Sequence, residues 1–179
     1  DPASIKHEVK VARIANEAFT IPAGSENTNV TATFEFPADG EILGITPVVR
    51  LRGKSVTAVA KFPDGKQMKL VEIPRWDNAY HFQYQLGAPV PAPKRTKVEV
   101  TAVYDNSQMN AANPDPSADV KAGLGGELLE GWLLYTSSTS GTATAAAGGA
   151  AAVAGEVAVA SAAGCPNCAE KCHKTVSTD

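Results

Sequence analysis

Residues 28–36 alternate strictly between apolar and polar side chains. Val30, Ala32, Phe34 and Phe36 fall on one face, and Asn29, Thr31, Thr33 and Glu35 on the other. A period of two marks a strand with one buried face. Val56, Ala58, Ala60 and Phe62 repeat the pattern over residues 55–62. Pro63-Asp64-Gly65-Lys66 follows, where Pro presets φ and Gly accepts positive φ, so a tight turn is expected. Met68 and Leu70 resume the alternation as the second arm of a hairpin. Tyr80, Phe82, Tyr84 and Leu86 alternate with His81, Gln83 and Gln85. Val98, Val100, Ala102 and Tyr104 alternate with Lys97, Glu99 and Thr101. The segments around Ile5–Ile14, Ile42–Leu51 and Leu128–Tyr135 are further strand candidates, and no helix-period segment of useful length precedes residue 136.

Eight or nine short strands separated by turns imply an all-β sandwich or barrel. Pro89, Pro91 and Pro93 fall in one connection, which must be loop or sheet edge because Pro cannot donate to a ladder. Asp105 to Asp119 is rich in Asn, Asp, Ser and Pro and reads as a long loop of stacked turns. Its oxygen-bearing side chains raise the question of calcium, but their spacing matches no EF-hand.

Composition divides the chain near Tyr135. Of the 29 residues from Thr136 to Gly164, 12 are Ala, and the rest are mostly Gly, Ser and Thr. We therefore expect a sandwich domain over residues 1–135, a low-complexity Ala/Gly/Ser/Thr tail over 136–164, and a Cys-rich segment over 165–179. The uncharged run Gly131–Gly155 is long enough for a membrane span, but after Tyr135 it is too poor in large apolar side chains to be one. With 19 acidic against 16 basic residues, a general nucleic-acid binder is excluded, since it needs a clustered basic surface. The chain begins Asp1-Pro2-Ala3, which we read as a sign of export with a leader removed.

Five short motifs occur in one order: Leu51-Arg52-Gly53-Lys54, Phe62-Pro63-Asp64-Gly65, Pro74-Arg75-Trp76-Asp77, Tyr104-Asp105-Asn106-Ser107 and Asn113-Pro114-Asp115-Pro116. In this order, over residues 5–135, the chain resembles the C-terminal domain of copper type II, ascorbate-dependent monooxygenases, and more closely the bacterial relatives of peptidylglycine α-hydroxylating monooxygenase. The resemblance implies a jelly-roll-like antiparallel β-sandwich, in agreement with the strand pattern.

It also implies a copper held by a His-x-His pair and a Met. Residues i and i+2 of a strand point to one face, and a soft thioether favours Cu(I). Here the His-x-His positions hold Val48 and Arg50, and the Met position holds Leu128. Val and Leu cannot ligate copper, and Arg50 brings a permanent positive charge to the place of the cation. His7 and His81 form no pair, and Met68 and Met109 are isolated. The copper site is thus expected to be vacated, with no catalytic residue and no cofactor.

The cysteines stand together as Cys165, Cys168 and Cys172, followed by His173. Three readings stay open. One is a local disulfide with one thiol left over, in an oxidising compartment. Another is haem c on Cys168-Ala169-Glu170-Lys171-Cys172-His173, one residue longer than the usual attachment motif, with His173 as axial ligand. The third is a metal site completed by a partner.

The expectation is therefore a non-catalytic, exported structural or accessory subunit, on the periplasmic or cell-surface side of a bacterial membrane. It would stabilise or bridge a larger redox or photosynthetic complex through its sandwich and an ordered tail. Other protein subunits would contact residues 136–179; membrane contact is expected to be indirect at most. The alternatives are a periplasmic electron-transfer protein carrying haem c and a residual copper monooxygenase.

Overall fold

The computed structural model describes residues 8–137. Ten strands follow in order: β1 (Val9–Asn16), β2 (Thr20–Ile21), β3 (Thr28–Glu35), β4 (Gly40–Val48), β5 (Gly53–Lys61), β6 (Gln67–Ile73), β7 (Tyr84–Ala92), β8 (Lys97–Tyr104), β9 (Val120–Lys121) and β10 (Leu129–Ser137). The eight long strands form two four-stranded antiparallel sheets, ordered β1-β10-β4-β7 and β3-β8-β5-β6. Consecutive long strands thus alternate between the sheets, except for the β5–β6 hairpin, as in an eight-stranded jelly roll built from two Greek keys. The fold is an all-β antiparallel sandwich. The two-residue strands β2 and β9 pair with each other beside it.

The alternating faces meet in the core. Val30, Ala32 and Phe36 of the β3 segment, Val56, Ala58 and Ala60 of β5, and Val98, Val100, Ala102 and Tyr104 of β8 are all buried. The opposing sheet supplies Ile14, Ile42, Ile45, Leu129, Leu133 and Tyr135. Each Val, Ile, Leu or Phe among them contributes roughly 1.5–3 kcal/mol on leaving water, which is what holds the two sheets face to face. Phe34, Phe36 and Tyr135 pack together as an aromatic cluster with ring centroids 5.3–5.6 Å apart. Gly40 lies so close to the β10 backbone that a Cβ there would meet the Thr136 carbonyl oxygen.

Four details differ from the pattern. Tyr80 and Phe82 are not inward-facing strand residues, because β7 starts only at Tyr84; both rings are exposed. In the β5–β6 hairpin the register shifts between Ala58 and Val59. Val71 is therefore buried, while Met68 is exposed. Pro89 and Pro91 lie within β7, an edge strand, so the edge alternative holds for them rather than the loop. β10 continues through Thr136 and Ser137, beyond the Tyr135 boundary drawn from composition.

Candidate functional site

The antiparallel pairing sorts the connections to two ends. The β3–β4, β5–β6 and β7–β8 turns are short and share one end. Residues 17–27, 49–52, 74–83 and 105–128 share the other. Long connections on a rigid sandwich are where binding and catalytic groups concentrate, so this second end is the candidate site.

A buried polar network organises it. Glu127 is only 1% exposed. Its Oε2 accepts the Arg50 backbone N–H (3.1 Å) and its Oε1 the Arg52 backbone N–H (3.0 Å). The Arg52 guanidinium reaches the same Oε1 through Nη1 at 3.5 Å and donates from Nε to Asn106 Oδ1 at 2.8 Å. Asn106 is fully buried and acts as a hub. Its Nδ2 donates to the Pro22 (3.0 Å) and Ala118 (2.9 Å) carbonyls, and its Oδ1 also accepts from Asn113 Nδ2 (3.1 Å). Tyr104 donates its hydroxyl to the Leu128 carbonyl at 2.6 Å and stacks on Phe19. One network thus ties all of the end's connections except 74–83.

Two electrostatic consequences follow. Burial pushes the Glu127 carboxyl above the ordinary range, against the opposing pull of the Arg50 and Arg52 N–H groups and the Arg52 charge. Burial, assisted by the negative charge of Glu127, pushes the Tyr104 phenol up strongly, so it remains a donor.

The long loop is a chain of stacked turns, as its composition implies. Asp105, Asn110, Asn113 and Asp115 each accept with a side-chain oxygen from the N–H two residues on. Beside it opens a cleft of about 520 Å³, lined by Arg52, Asp115 and Ala118–Gly126. Its carboxylates are engaged: Asp115 accepts from Ser117, and Asp119 from the Ala23 N–H at 2.8 Å. Among the described residues, no three His, Cys, Asp or Glu side chains gather as a metal site.

Val48 closes β4, half-buried and paired with Glu130. Arg50 lies past the end of that strand, so the two do not form an i, i+2 pair on a continuous strand, and it is Val49 between them that is fully buried. Arg50 Nη1 instead donates to the carbonyls of Leu124 (2.5 Å) and Gly126 (3.3 Å). Leu128 is half-buried, immediately before β10. The structure therefore brings Arg50 against the loop that carries Leu128, by way of Glu127. His81 packs edge-on against Trp76, centroids 5.8 Å apart. Cys165, Cys168, Cys172 and His173, the tail from residue 138, and His7 lie outside the described residues.

Sequence reasoning missed Glu127, Asn106 and Tyr104 as a unit with Arg52. Three of them stand inside or beside motifs already singled out, and Glu127 is the one acidic residue in the glycine-rich stretch before β10.

No protein-family model matches the sequence, and neither does any curated protein. Among solved structures, the chain is similar to one in the structure of the infectious bursal disease virus Gt strain, with 10% identity and a TM-score of 0.42, covering 73% of this chain and 32% of that one. A chain of the Gx strain gives 11% identity and a TM-score of 0.41, covering 74% and 33%. The protein thus spans about a third of the length of the solved chains it matches.

Proposed function

We propose that this chain is a non-catalytic, exported accessory subunit that stabilises a larger, membrane-associated protein complex. The observation that carries the reading is the Arg50–Glu127–Arg52 clasp. Where the resemblance to copper monooxygenases would put metal ligands, the chain has Val48, Arg50 and Leu128. The nearest charged groups are spent on one another and on backbone N–H and carbonyl groups. A carboxylate that accepts two amides and a guanidinium is held for structure, and fold alone carries no activity.

A second feature supports a subunit role. On the outer face of the β1–β10 pair, Val11 stands opposite Leu134 and Arg13 opposite Trp132. Val9, Val11 and Trp132 are exposed there. Exposed apolar side chains on a sheet face, around the Arg13–Glu130 ion pair, suit contact with another protein.

The test is to express the tagged full chain from its own locus and size gently solubilised membranes. The expected result is migration in an assembly much larger than the 18.5 kDa chain, with no stoichiometric copper after copper loading. A free monomer that retains tight copper would overturn the proposal.

A further inference from the structure

We infer that, in place of the indirect membrane contact expected from the sequence, the long-connection end of the sandwich seats directly on a lipid bilayer, inserting its apolar loop tips into the interfacial zone. The large apolar side chains left exposed are not scattered evenly. Leu51, Tyr80, Phe82, Met109 and Leu124 all belong to connections at this end, with exposures from 44% at Leu51 to 87% at Leu124. Among the described residues, the turns of the opposite end carry none; they present Asp64, Lys66, Lys94 and Arg95 instead.

The tips are built to leave water at low cost. The segments around them, Ser107–Asn113, Ala122–Gly126 and Asn78–Gly87, contain no Asp, Glu, Lys or Arg. Leu51 is flanked by two arginines, but both guanidinium groups turn away from it, Arg50 to the Leu124 and Gly126 carbonyls and Arg52 to Asn106 and Glu127. Much of the backbone is already paired. The Met109 N–H donates to Ser107 Oγ, the Gly126 N–H to the Gly123 carbonyl, and the Leu51 carbonyl accepts from Asn110 Nδ2. Unpaired peptide groups are the main cost of entering lipid, and here many are satisfied in advance. Tyr80 and Phe82 stack in parallel, with 5° between ring planes, and offer the amphipathic aromatic surface that favours the headgroup level.

A bilayer fits these tips better than a protein does. They are separate pegs on several loops, with Met109 and Leu124 more than four-fifths exposed. A rigid partner needs a matched pocket for each peg, whereas lipid deforms around them. The exposed charges of these connections are Glu17, Glu26, Asp77, Asp115 and Asp119 against Arg75 and Lys121. That acidic balance selects zwitterionic over anionic lipid.

The experiment floats the full chain with pure phosphatidylcholine vesicles on a density gradient. The parent should float. Met109→Ser with Leu124→Ser, and separately Tyr80→Ser with Phe82→Ser, should lower the bound fraction about tenfold. Met68→Ser, whose exposed side chain lies on β6, should not. Phosphatidylglycerol at about a quarter of the lipid should weaken binding, with recovery in salt. Unchanged urea midpoints establish that the variants fold.

The proposal fails if the parent does not float, if the loop variants bind as the parent does, or if anionic vesicles bind it better. It also fails if the same substitutions instead dissolve a lipid-free dimer in sedimentation, which would assign this end to a second copy. Because the vesicles contain no protein, failure here leaves the subunit reading standing, and failure of that reading leaves this one testable.

Discussion

Replacing Glu127 with Ala should be among the most damaging single changes in the sandwich. The carboxylate is buried and serves three donors: the Arg50 and Arg52 amides and the Arg52 guanidinium. Removing one partner of a buried ion pair costs about 3–5 kcal/mol, because the remaining charge is left uncompensated. Each orphaned amide adds about 1–3 kcal/mol where water cannot reach it. Water can reach part of this region, since Arg52 also lines the open cleft. The net expectation is a loss of about 3–4 kcal/mol, a large share of the ~5–15 kcal/mol that holds a domain together. Glu127→Gln keeps a carbonyl acceptor but turns an NH₂ toward a backbone N–H, so it should lose about 2 kcal/mol. Urea unfolding followed by circular dichroism measures both. With a slope of about 1–3 kcal/mol per molar, the Ala midpoint should fall by more than ~1 M. A Glu127→Ala midpoint within experimental error of the parent's would show that the clasp contributes nothing, and would remove the structural role assigned to it.

Three further outcomes are expected. The raised Glu127 carboxyl means that, between the ordinary value of 4.5 and its folded value, the folded chain keeps a proton the unfolded chain has released. This group's contribution therefore falls as pH rises through that window, and urea midpoints across it should show a slope that Glu127→Gln flattens. Asn106→Ala removes a hub bonded to four residues in three connections; it should cost about 2–4 kcal/mol and accelerate amide hydrogen exchange in residues 105–119 above all. Gly40→Ala forces a methyl group against the Thr136 carbonyl oxygen and should lower stability by about 1–3 kcal/mol in the same urea assay, with loosened β4–β10 pairing.

The sandwich was readable because a strand with one wet face repeats every two residues, and β3, β5 and β8 follow that rule without interruption. The rule misplaced Tyr80 and Phe82 because alternation is equally satisfied by an irregular segment whose aromatic rings stack on each other in solvent. It misjudged the far arm of the hairpin because the register shift opposite Ala58 and Val59 changes which β6 side chains face inward, and no local residue announces it. The site was legible only as a loss. Val48, Arg50 and Leu128 were singled out by what they cannot ligate. The groups that organise the end reach far along the chain: Glu127 finds Arg50 and Arg52 75–77 positions away, and Asn106 finds Arg52 54 and Pro22 84 positions away. Such pairings depend on jelly-roll connectivity, which periodicity does not encode.

The two prolines of β7 set a limit on how copies of this chain can associate. Pro91 stands opposite Glu41 of β4, Pro89 falls in the stretch between Gln85 and Val90 where the register with β4 breaks, and neither has an N–H to offer an incoming strand. No incoming strand can complete a ladder along that border. Open-ended growth of a sheet requires two joinable borders, one to receive and one to offer. With one sealed, edge-to-edge joining through this sheet stops at a pair, and filaments templated by it are ruled out by covalent chemistry rather than by surface charge.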